Sequence, residues 1–538
     1  MGLVQRGALR LPVDVARRAQ DRLAATQTLW RTPAAAAAIV LSAYVARAWF
    51  GNQAFDVFFD EGVYLQISQH LARYGEISYN ATTPFFLHPP LFFFFEGLFL
   101  GIVQPKGDFI SQILMVRFLN AVFGALTAGV VFYLVRRIVG DVAGFLAAAI
   151  FTIEPFLIRI DSRNLLEPSA ELWILLGVWG IVDMGERPLT TRRSVLVGLA
   201  FAAALLTNEP TFFVTVVPLG ACWLFRWAVP RRSCVEIVAT AMGVYSVYPM
   251  LAIASGNWGE FYDQKLRGLM RFFGQLQLSG FNANHGPTFQ QAVAEHASEF
   301  ATTYTLMAAG VLALLYLWRR RSEVGSRAVL VWTACAYVLQ GYSIALGTNE
   351  EQYFYYLVVV AIIADIVAAM MLLAHLDRPL ATGYETEDPV SATLYAMCVQ
   401  IDRMPFRVTK SVLLLLTVLL LGWAIAAWPQ QHLTPDDAYR QVFDILEVQA
   451  RPGTTVAGIN STDFAMVTGT GYHYVAARDP NTVLHDHAKY VLVSTRLTEQ
   501  GYTSASPALR PWLEQNATLV AVGNGRTTGK LFLYRIED

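Results

Sequence analysis

A succession of apolar runs, most of them about 15 to 20 residues long and separated by short arginine-bearing loops, limits what this chain can fold into. A run near 20 residues spans the hydrocarbon core of a bilayer as a helix, and inside a bilayer the backbone has no partner but itself. Of the 538 residues, 55% are hydrophobic and only 15% are Asp, Glu, Lys or Arg. A soluble domain carries roughly 25% charged residues. The sequence therefore predicts a polytopic α-helical membrane protein with a modest soluble part. Its 40 basic and 41 acidic residues nearly balance, so no basic stripe argues for nucleic acid. The four cysteines, Cys222, Cys234, Cys335 and Cys398, match no metal-ligand spacing and read as small buried hydrophobes.

Arginine placement orients the runs. Arg6, Arg10, Arg17, Arg18, Arg22 and Arg31 precede the first span, near 33–51, so residues 1–32 are expected to be cytoplasmic. Loop 52–115 then faces outward, and the next span, near 116–135, returns to Arg136-Arg137. Leu91–Val103 is apolar but too short to cross; it reads as a helix lying on or dipping into the outer surface. Further spans are expected near 142–158, 168–184, 194–208, 211–228, 234–254, 300–318, 327–347, 353–374 and 411–428, with a second external loop at 255–299. The total is about 11 spans in a membrane domain over 33–428. An odd number places residues 429–538 outside a multi-pass plasma-membrane protein.

Residues 429–538 change character. The β-branched runs TTVAGI, YHYVAA, KYVLVST and ATLVAVG alternate with polar stretches, and NGRTTGKLF reads as a turn into a final strand. Asp436–Glu447 has helical spacing, with Tyr439, Val442, Phe443 and Leu446 on one side. This predicts a small extracytoplasmic α/β domain. Gly469 and Gly471 lack the third glycine of a dinucleotide-binding turn, so no nucleotide cofactor is expected.

Several ionisable residues cluster at the predicted outer ends of the spans. Asp60 and Glu61 suit a general base or a metal ligand at the membrane boundary; an acidic first turn of a helix is the competing structural reading. His88 precedes two prolines, which fix its approach and aim the imidazole, as a ligand or hydrogen-bond donor requires. Arg159, Asp161, Arg163, Asn164 and Glu167 form a second cluster on the same face, where Arg163 and Glu167 also have the spacing of a simple helical pair. Arginine suits a phosphate because its planar fork gives bidentate contacts. Arg47 reads as a snorkelling residue, or as a contact for an anionic substrate. Glu209 sits in a membrane-embedded turn, and Glu350-Glu351-Gln352 reads as a capping patch. In loop 255–299, Lys265, Arg267 and Arg271 offer an anion-binding face, with His285 a candidate ligand.

Asp60-Glu61, followed by Tyr64, Gly75 and His88-Pro89-Pro90-Leu91, resembles the first external loop of the integral-membrane glycosyltransferases with a GT-C fold. The branch it is most similar to is the superfamily of protein O-mannosyltransferases and lipid A aminoarabinose transferases. SRNLLEP at Ser162–Pro168 resembles that superfamily's second external motif, and the resemblance runs through roughly 33–230. It implies an inverting transferase that takes a sugar from a polyprenyl-phosphate donor to an extracytoplasmic protein, lipid or glycan. Asp60 would be the general base and Glu167 the motif carboxylate. Arg163, Arg159, Asp161, Lys265 and Arg271 would make up the donor-phosphate site. Some relatives place a metal at the outer cavity, and His88, Glu61 and His285 are the candidates for a divalent ion here. The Gly-Lys expected after HPPL is replaced by Phe92-Phe93. A lipid or glycolipid transporter is the rival reading, although no internal repeat supports it.

Overall fold

The computed structural model describes residues 33–537 except 81–82, 184–189, 277–287, 322–323, 348–349, 377–403, 500–502 and 504. Residues 1–32, Cys398 and His285 lie outside the described residues.

Every expected span is present as helix. The first stretch contains α1 (Pro33–Ala48), α2 (Phe59–Tyr74), the short hairpin β1 (Ser78–Asn80) and β2 (Thr83–Pro84), α3 (Leu91–Val103) and α4 (Phe109–Val139). Next come α5 (Asp141–Ile153), α6 (Pro155–Asp161), α7 (Leu166–Asp183), α8 (Thr191–Thr207) and α9 (Phe212–Phe225). The bundle continues with α10 (Arg231–Tyr245), α11 (Val247–Ala254), α12 (Trp258–Phe272), α13 (Ala301–Arg319), α14 (Val324–Ala345), α15 (Phe354–Leu376) and α16 (Met404–His432).

Among the described residues, six helical segments are long and apolar enough to cross a membrane by length and composition alone. The number becomes seven if α5 and α6, bent by 64°, count as one span. The count of about 11 also includes α1, α8 and α9, which are short, and α7, whose acidic residues Glu167, Glu171 and Asp183 lower its hydropathy. The bend between α5 and α6 has a local cause. Pro155 has no N–H to continue the ladder, and the Glu154 carboxylate caps the new helix by accepting from Leu157 N at 2.8 Å.

The helix α3 does not stand alone as a thirteen-residue span. It buries Phe92, Phe93, Glu96 and Leu100 and leaves Phe94, Leu98 and Ile102 exposed. Gly97 permits close contact with α2: a Cβ there would lie 3.3 Å from the Ser68 carbonyl oxygen. The exposed apolar side suits the edge of a bilayer, as expected for a helix on the outer surface.

The C-terminal part contains α17 (Ala438–Gln449), β3 (Thr455–Gly458), α18 (Ser461–Gly469), β4 (His473–Ala476), β5 (Tyr490–Ser494), β6 (Ala517–Gly525) and β7 (Gly529–Ile536). The strands form one mixed sheet in the order β4-β3-β5-β7-β6. β3 runs parallel to β4 and β5, whereas β7 is antiparallel to β5 and β6. The apolar side of α17, Tyr439, Val442, Phe443 and Leu446, is buried as its spacing requires.

One hydrophobic core runs from α2, α3 and the start of α4 into this sheet layer, joining Tyr64, Phe93 and Phe109 to Phe443, Met466 and Leu533. Gly62 marks one close approach, since a Cβ there would lie 2.6 Å from Met466 Cε and 2.9 Å from Ala465 Cβ, and Gly469 against the Phe109 ring marks another. The C-terminal layer therefore rests on the helix that carries Asp60 and Glu61.

Candidate active site

A cavity of about 960 Å³ lies between one end of the bundle and the C-terminal layer. Asp60, His88, Arg159, Arg163, Glu167, Lys265 and Arg271 all line it. Glu61 and Asp161 do not. The sequence candidates thus divide into a wall facing the cavity and a layer of charge beneath it.

Asp60 and Glu61 occupy the first turn of α2, where acidic residues favour the helix dipole. Their environments diverge at once. Glu61 receives a two-pronged contact from Arg117 of α4, with Nε at 2.8 Å from Oε1 and Nη2 at 2.7 Å from Oε2. It also accepts from Phe58 N at 2.9 Å and Asn164 N at 2.8 Å. Burial raises the Glu61 carboxyl, but the Arg117 charge and hydrogen bonds outweigh it and hold the group below the usual carboxylate range. Asp60 has no such clamp. Burial, and then the Glu350 charge, push it up to about 7, against the pull of Arg271 and a 3.5 Å contact from Gln352 Nε2.

Arg117 also donates to the carbonyls of Gly51, Phe55 and Asp56, and so fixes the chain entering α2. The same layer extends sideways. Glu96 accepts from Ser68 Oγ at 2.9 Å and from Asn164 Nδ2 at 2.8 Å. Asn120 Nδ2 donates to the carbonyls of Arg163 and Leu165, both at 2.6 Å. These bonds set the turn between α6 and α7 that presents Arg163.

Arg163 and Glu167 do not form the helical pair that their spacing allows. Arg163 lies over the rings of Phe55 and Phe58, each 5.5 Å from its guanidinium carbon, and donates to Thr527 Oγ1 at 3.2 Å. Burial and neighbouring Arg159 lower it to about 10. Glu167 accepts instead from Asn208 Nδ2 at 3.2 Å. Asp161 turns inward: it pairs with Arg47 Nε at 2.5 Å and accepts from Tyr355 OH at 2.6 Å, all three buried. Arg47 therefore neither snorkels nor meets a substrate, and Asp161 is not at the cavity surface. Both corrections follow from the cost of leaving a buried charge unpaired.

The helix α12 forms another part of the wall. Lys265 pairs with Glu209 at 2.5 Å and donates to the Leu87 carbonyl at 3.2 Å, and Arg271 pairs with Glu350. Glu350 and Glu351 are thus more than a capping patch, because Glu351 pairs with Arg159 at 3.3 Å. Gln264 ties α12 to Pro84 O and Phe86 N, and Tyr248 OH donates to the carbonyls of Phe86 and His88. These contacts and the two prolines hold His88 at the wall. Burial pushes its imidazole down to about 3, and the charges of Lys265 and Arg271 add to the shift.

Of the metal candidates, Glu61 and His88 are described, and a divalent ion does not fit these two. Both Glu61 oxygens are spent on Arg117 and backbone N–H groups, and His88 lies within the repulsive field of two cations. Among the described residues no three His, Cys, Asp or Glu side chains are grouped to hold a metal.

Sequence reading did not anticipate the share of the C-terminal layer. Asp436, Asn460, Thr462, Arg496, Arg526 and Thr527 line the cavity, from loops and helix starts about 300 residues or more after the first external cluster. Arg117 was also missed; an arginine inside a long apolar helix was its only signal.

Residues 37–245 match the family model described as dolichyl-phosphate-mannose-protein mannosyltransferase. No curated protein matches the chain in sequence. Among solved structures, ArnT from Cupriavidus metallidurans, bound to undecaprenyl phosphate, aligns with a TM-score of 0.54 at 15% identity, covering 93% of this chain and 97% of its own. The oligosaccharyltransferase of Archaeoglobus fulgidus in the apo form aligns with a TM-score of 0.57 at 12% identity, covering 95% of this chain and 75% of that one. The archaeal oligosaccharyltransferase AglB from the same organism, in complex with an inhibitory peptide and a dolichol-phosphate, aligns with a TM-score of 0.55 at 12% identity. It covers 92% of this chain and 74% of its own. At these identities the likeness is one of fold.

Proposed function

Starting from a chain that has the GT-C fold of the integral-membrane glycosyltransferases, with a mannosyltransferase-family match in its first part, we propose an inverting glycosyltransferase. It moves a hexosyl or pentosyl residue from a polyprenyl-phosphate donor to an extracytoplasmic acceptor. The observation that carries this reading is Asp60: a half-buried carboxyl raised to about 7 at the wall of a large cavity, beside the cation Arg271. A general base works best with a pKa near the operating pH.

Met242, Tyr245 and Pro249 line one side of the cavity. They come from α10 and α11, whose other faces expose Val247, Met250, Leu251 and Ile253. An apolar polyprenyl chain suits that side, with its phosphate at headgroup depth. Lys265 and Arg271, on the adjoining α12, are placed to meet the phosphate next to Asp60, and neutral His88 can donate a hydrogen bond there.

In the reaction, Asp60 takes the proton of the acceptor hydroxyl as its oxygen attacks the anomeric carbon. A new carbon–oxygen bond forms, the bond from that carbon to the phosphate oxygen breaks, and the phosphate leaves with the electron pair. The configuration inverts. Lys265 and Arg271 stabilise the departing charge, which is where preorganised cations lower a barrier most. Glu167, held by Asn208, faces the same space and orients the sugar by hydrogen bonding. Glu61 acts through Arg117 as a positioning residue. In this reading residues 1–32 are cytoplasmic and the cavity faces outward, the orientation the arginine distribution favours.

The test is sugar loss from a synthetic polyprenyl-phosphate sugar incubated with the purified full chain. Asp60→Asn should abolish turnover while still binding polyprenyl phosphate. Equal turnover by the variant would remove Asp60 as the base.

A further inference from the structure

Two arginines at the seam between bundle and C-terminal layer are not used by the reaction above. Arg163 is 2% exposed and lines the cavity. Among the described residues it forms no ion pair; its one hydrogen bond goes to the neutral Thr527 hydroxyl, and its buried Nε has no partner. Arg526, on the turn between β6 and β7, donates to three neutral carbonyls, Ala54 at 2.7 Å, Gln431 at 2.9 Å and Gln430 at 3.3 Å. Its Nε is likewise buried without a partner.

The two side chains share their surroundings. Arg526 binds the carbonyl of Ala54, and Arg163 lies over the ring of the next residue, Phe55. Arg163 donates to Thr527, the residue after Arg526. The nearby carboxylates are engaged elsewhere. Asp436 accepts from Thr527 Oγ1 at 2.6 Å and Thr527 N at 3.1 Å, Glu351 pairs with Arg159, Glu61 pairs with Arg117, and Glu299, which feels the Arg526 charge without an ion pair to it among the described residues, accepts from Gln431 Nε2 at 3.4 Å. A buried guanidinium without a carboxylate partner is costly unless an anion completes it. Rings stacked below and neutral acceptors behind leave the remaining donors fixed in direction, which favours a two-pronged oxyanion.

We infer that Arg163 and Arg526 form an acceptor subsite for a phosphate or carboxylate group, so that the molecule receiving the sugar is anionic. The subsite rests on the glycosyltransferase reading but is distinct from the donor-phosphate contacts Lys265 and Arg271; it assigns Arg163, which the family resemblance puts at the donor phosphate, to the acceptor instead. It also gives the C-terminal layer a direct role, since the bundle alone supplies only Arg163.

The experiment is equilibrium binding to the purified full chain, comparing glycerol 1-phosphate, glycerate and glycerol as probes. Wild type should bind at least one anionic probe and not glycerol. Arg163→Gln should weaken that binding about tenfold or more, Arg163→Lys should recover part of it, and polyprenyl-phosphate binding should change less than about twofold in both, since a lost charged contact is worth about 1.5–3 kcal/mol. Arg526→Gln should act in the same direction; because Arg526 also braces the seam, Arg163 decides the question if that variant fails to fold. Phosphatidic acid in nanodiscs, run beside the soluble probes, assigns the group to a lipid headgroup or a free polar molecule. No anionic binding to wild type, unchanged binding in Arg163→Gln, or full displacement of the probe by polyprenyl phosphate would each overturn the subsite. Loss of polyprenyl-phosphate binding only in Arg271→Gln would leave the donor reading intact in every one of those cases. Retention of polyprenyl-phosphate binding in Arg271→Gln would instead count against the donor assignment.

Discussion

The cavity wall and the layer beneath it are built from the same residue types, yet they do opposite work. Beneath the wall, Glu61–Arg117 and Asp161–Arg47 are saturated: carboxylate oxygens and guanidinium nitrogens meet each other, backbone groups or a tyrosine hydroxyl. On the wall, Arg163 and Arg526 each keep a guanidinium Nε without a partner, Asp60 accepts only a 3.5 Å contact from Gln352 among the described residues, and all three line the cavity. Asp60 and Glu61 are neighbours in the chain, and the side of the helix turn that each occupies decides which layer it joins. Saturation makes a charge structural, and an unfilled valence at a cavity makes it available for chemistry.

Asp60→Asn tests the wall and should show the largest effect, a loss of about 10²–10⁴ in turnover of donor with unchanged thermal stability. Arg117→Met tests the layer beneath and should do the reverse in kind. Stranding the buried Glu61 carboxylate should cost about 3–5 kcal/mol, read as a lowered unfolding midpoint in detergent. If Arg117→Met left stability intact, the two layers would not differ as argued.

The pH profile gives a finer separation. With Asp60 raised to about 7, turnover should rise as pH increases through about 7 and level off above it, because the base must be ionised. Glu350→Gln removes a like charge and should move that inflection to lower pH, whereas Arg117→Met should leave it nearly in place. The seam responds with the opposite sign. Asp56 is buried and raised to about 7, first by desolvation and then by the nearby Asp436 charge. A carboxyl raised in the folded state stabilises fully below its unfolded value of 3.8, and that stability is lost as pH rises through about 7. Asp56→Asn should flatten the fall in midpoint over that window. The smallest expected effect lies on the exposed surface: Arg510→Ala, which removes a half-exposed pair with Glu514, should change stability by about 0.3–0.5 kcal/mol at most.

Much of the architecture was legible in the chain. Apolar run length located the helices, because a bilayer demands whole helical segments. The spacing of Tyr439, Val442, Phe443 and Leu446 predicted both α17 and its buried side. Leu91–Val103 was readable as a helix from its apolar run. The crossing number was less so, since Glu167 and Glu171 lower the apolar character of α7 and Pro155 breaks a span in two. Among site residues, Asp60, Glu167, Lys265 and Arg271 could be found because charge in an oily chain stands out, and all four reach the cavity. Asp161 stood out equally and does not reach it, because its partner Arg47 lies 114 residues away in the chain.

The sequence by itself determined the membrane-spanning architecture, the α/β composition of the C-terminal part and the set of charged residues from which a site could be made. These follow from local pattern and from the need to satisfy the backbone in lipid. Only the tertiary structure decided which charges are spent and which remain free. That division depends on contacts such as Glu61 with Arg117, Arg163 with Thr527 and Gly62 with Met466, whose partners are 56, 364 and about 400 residues apart. A carboxylate becomes a base or a brace according to what burial places beside it, and spacing along the chain carries no record of that neighbour.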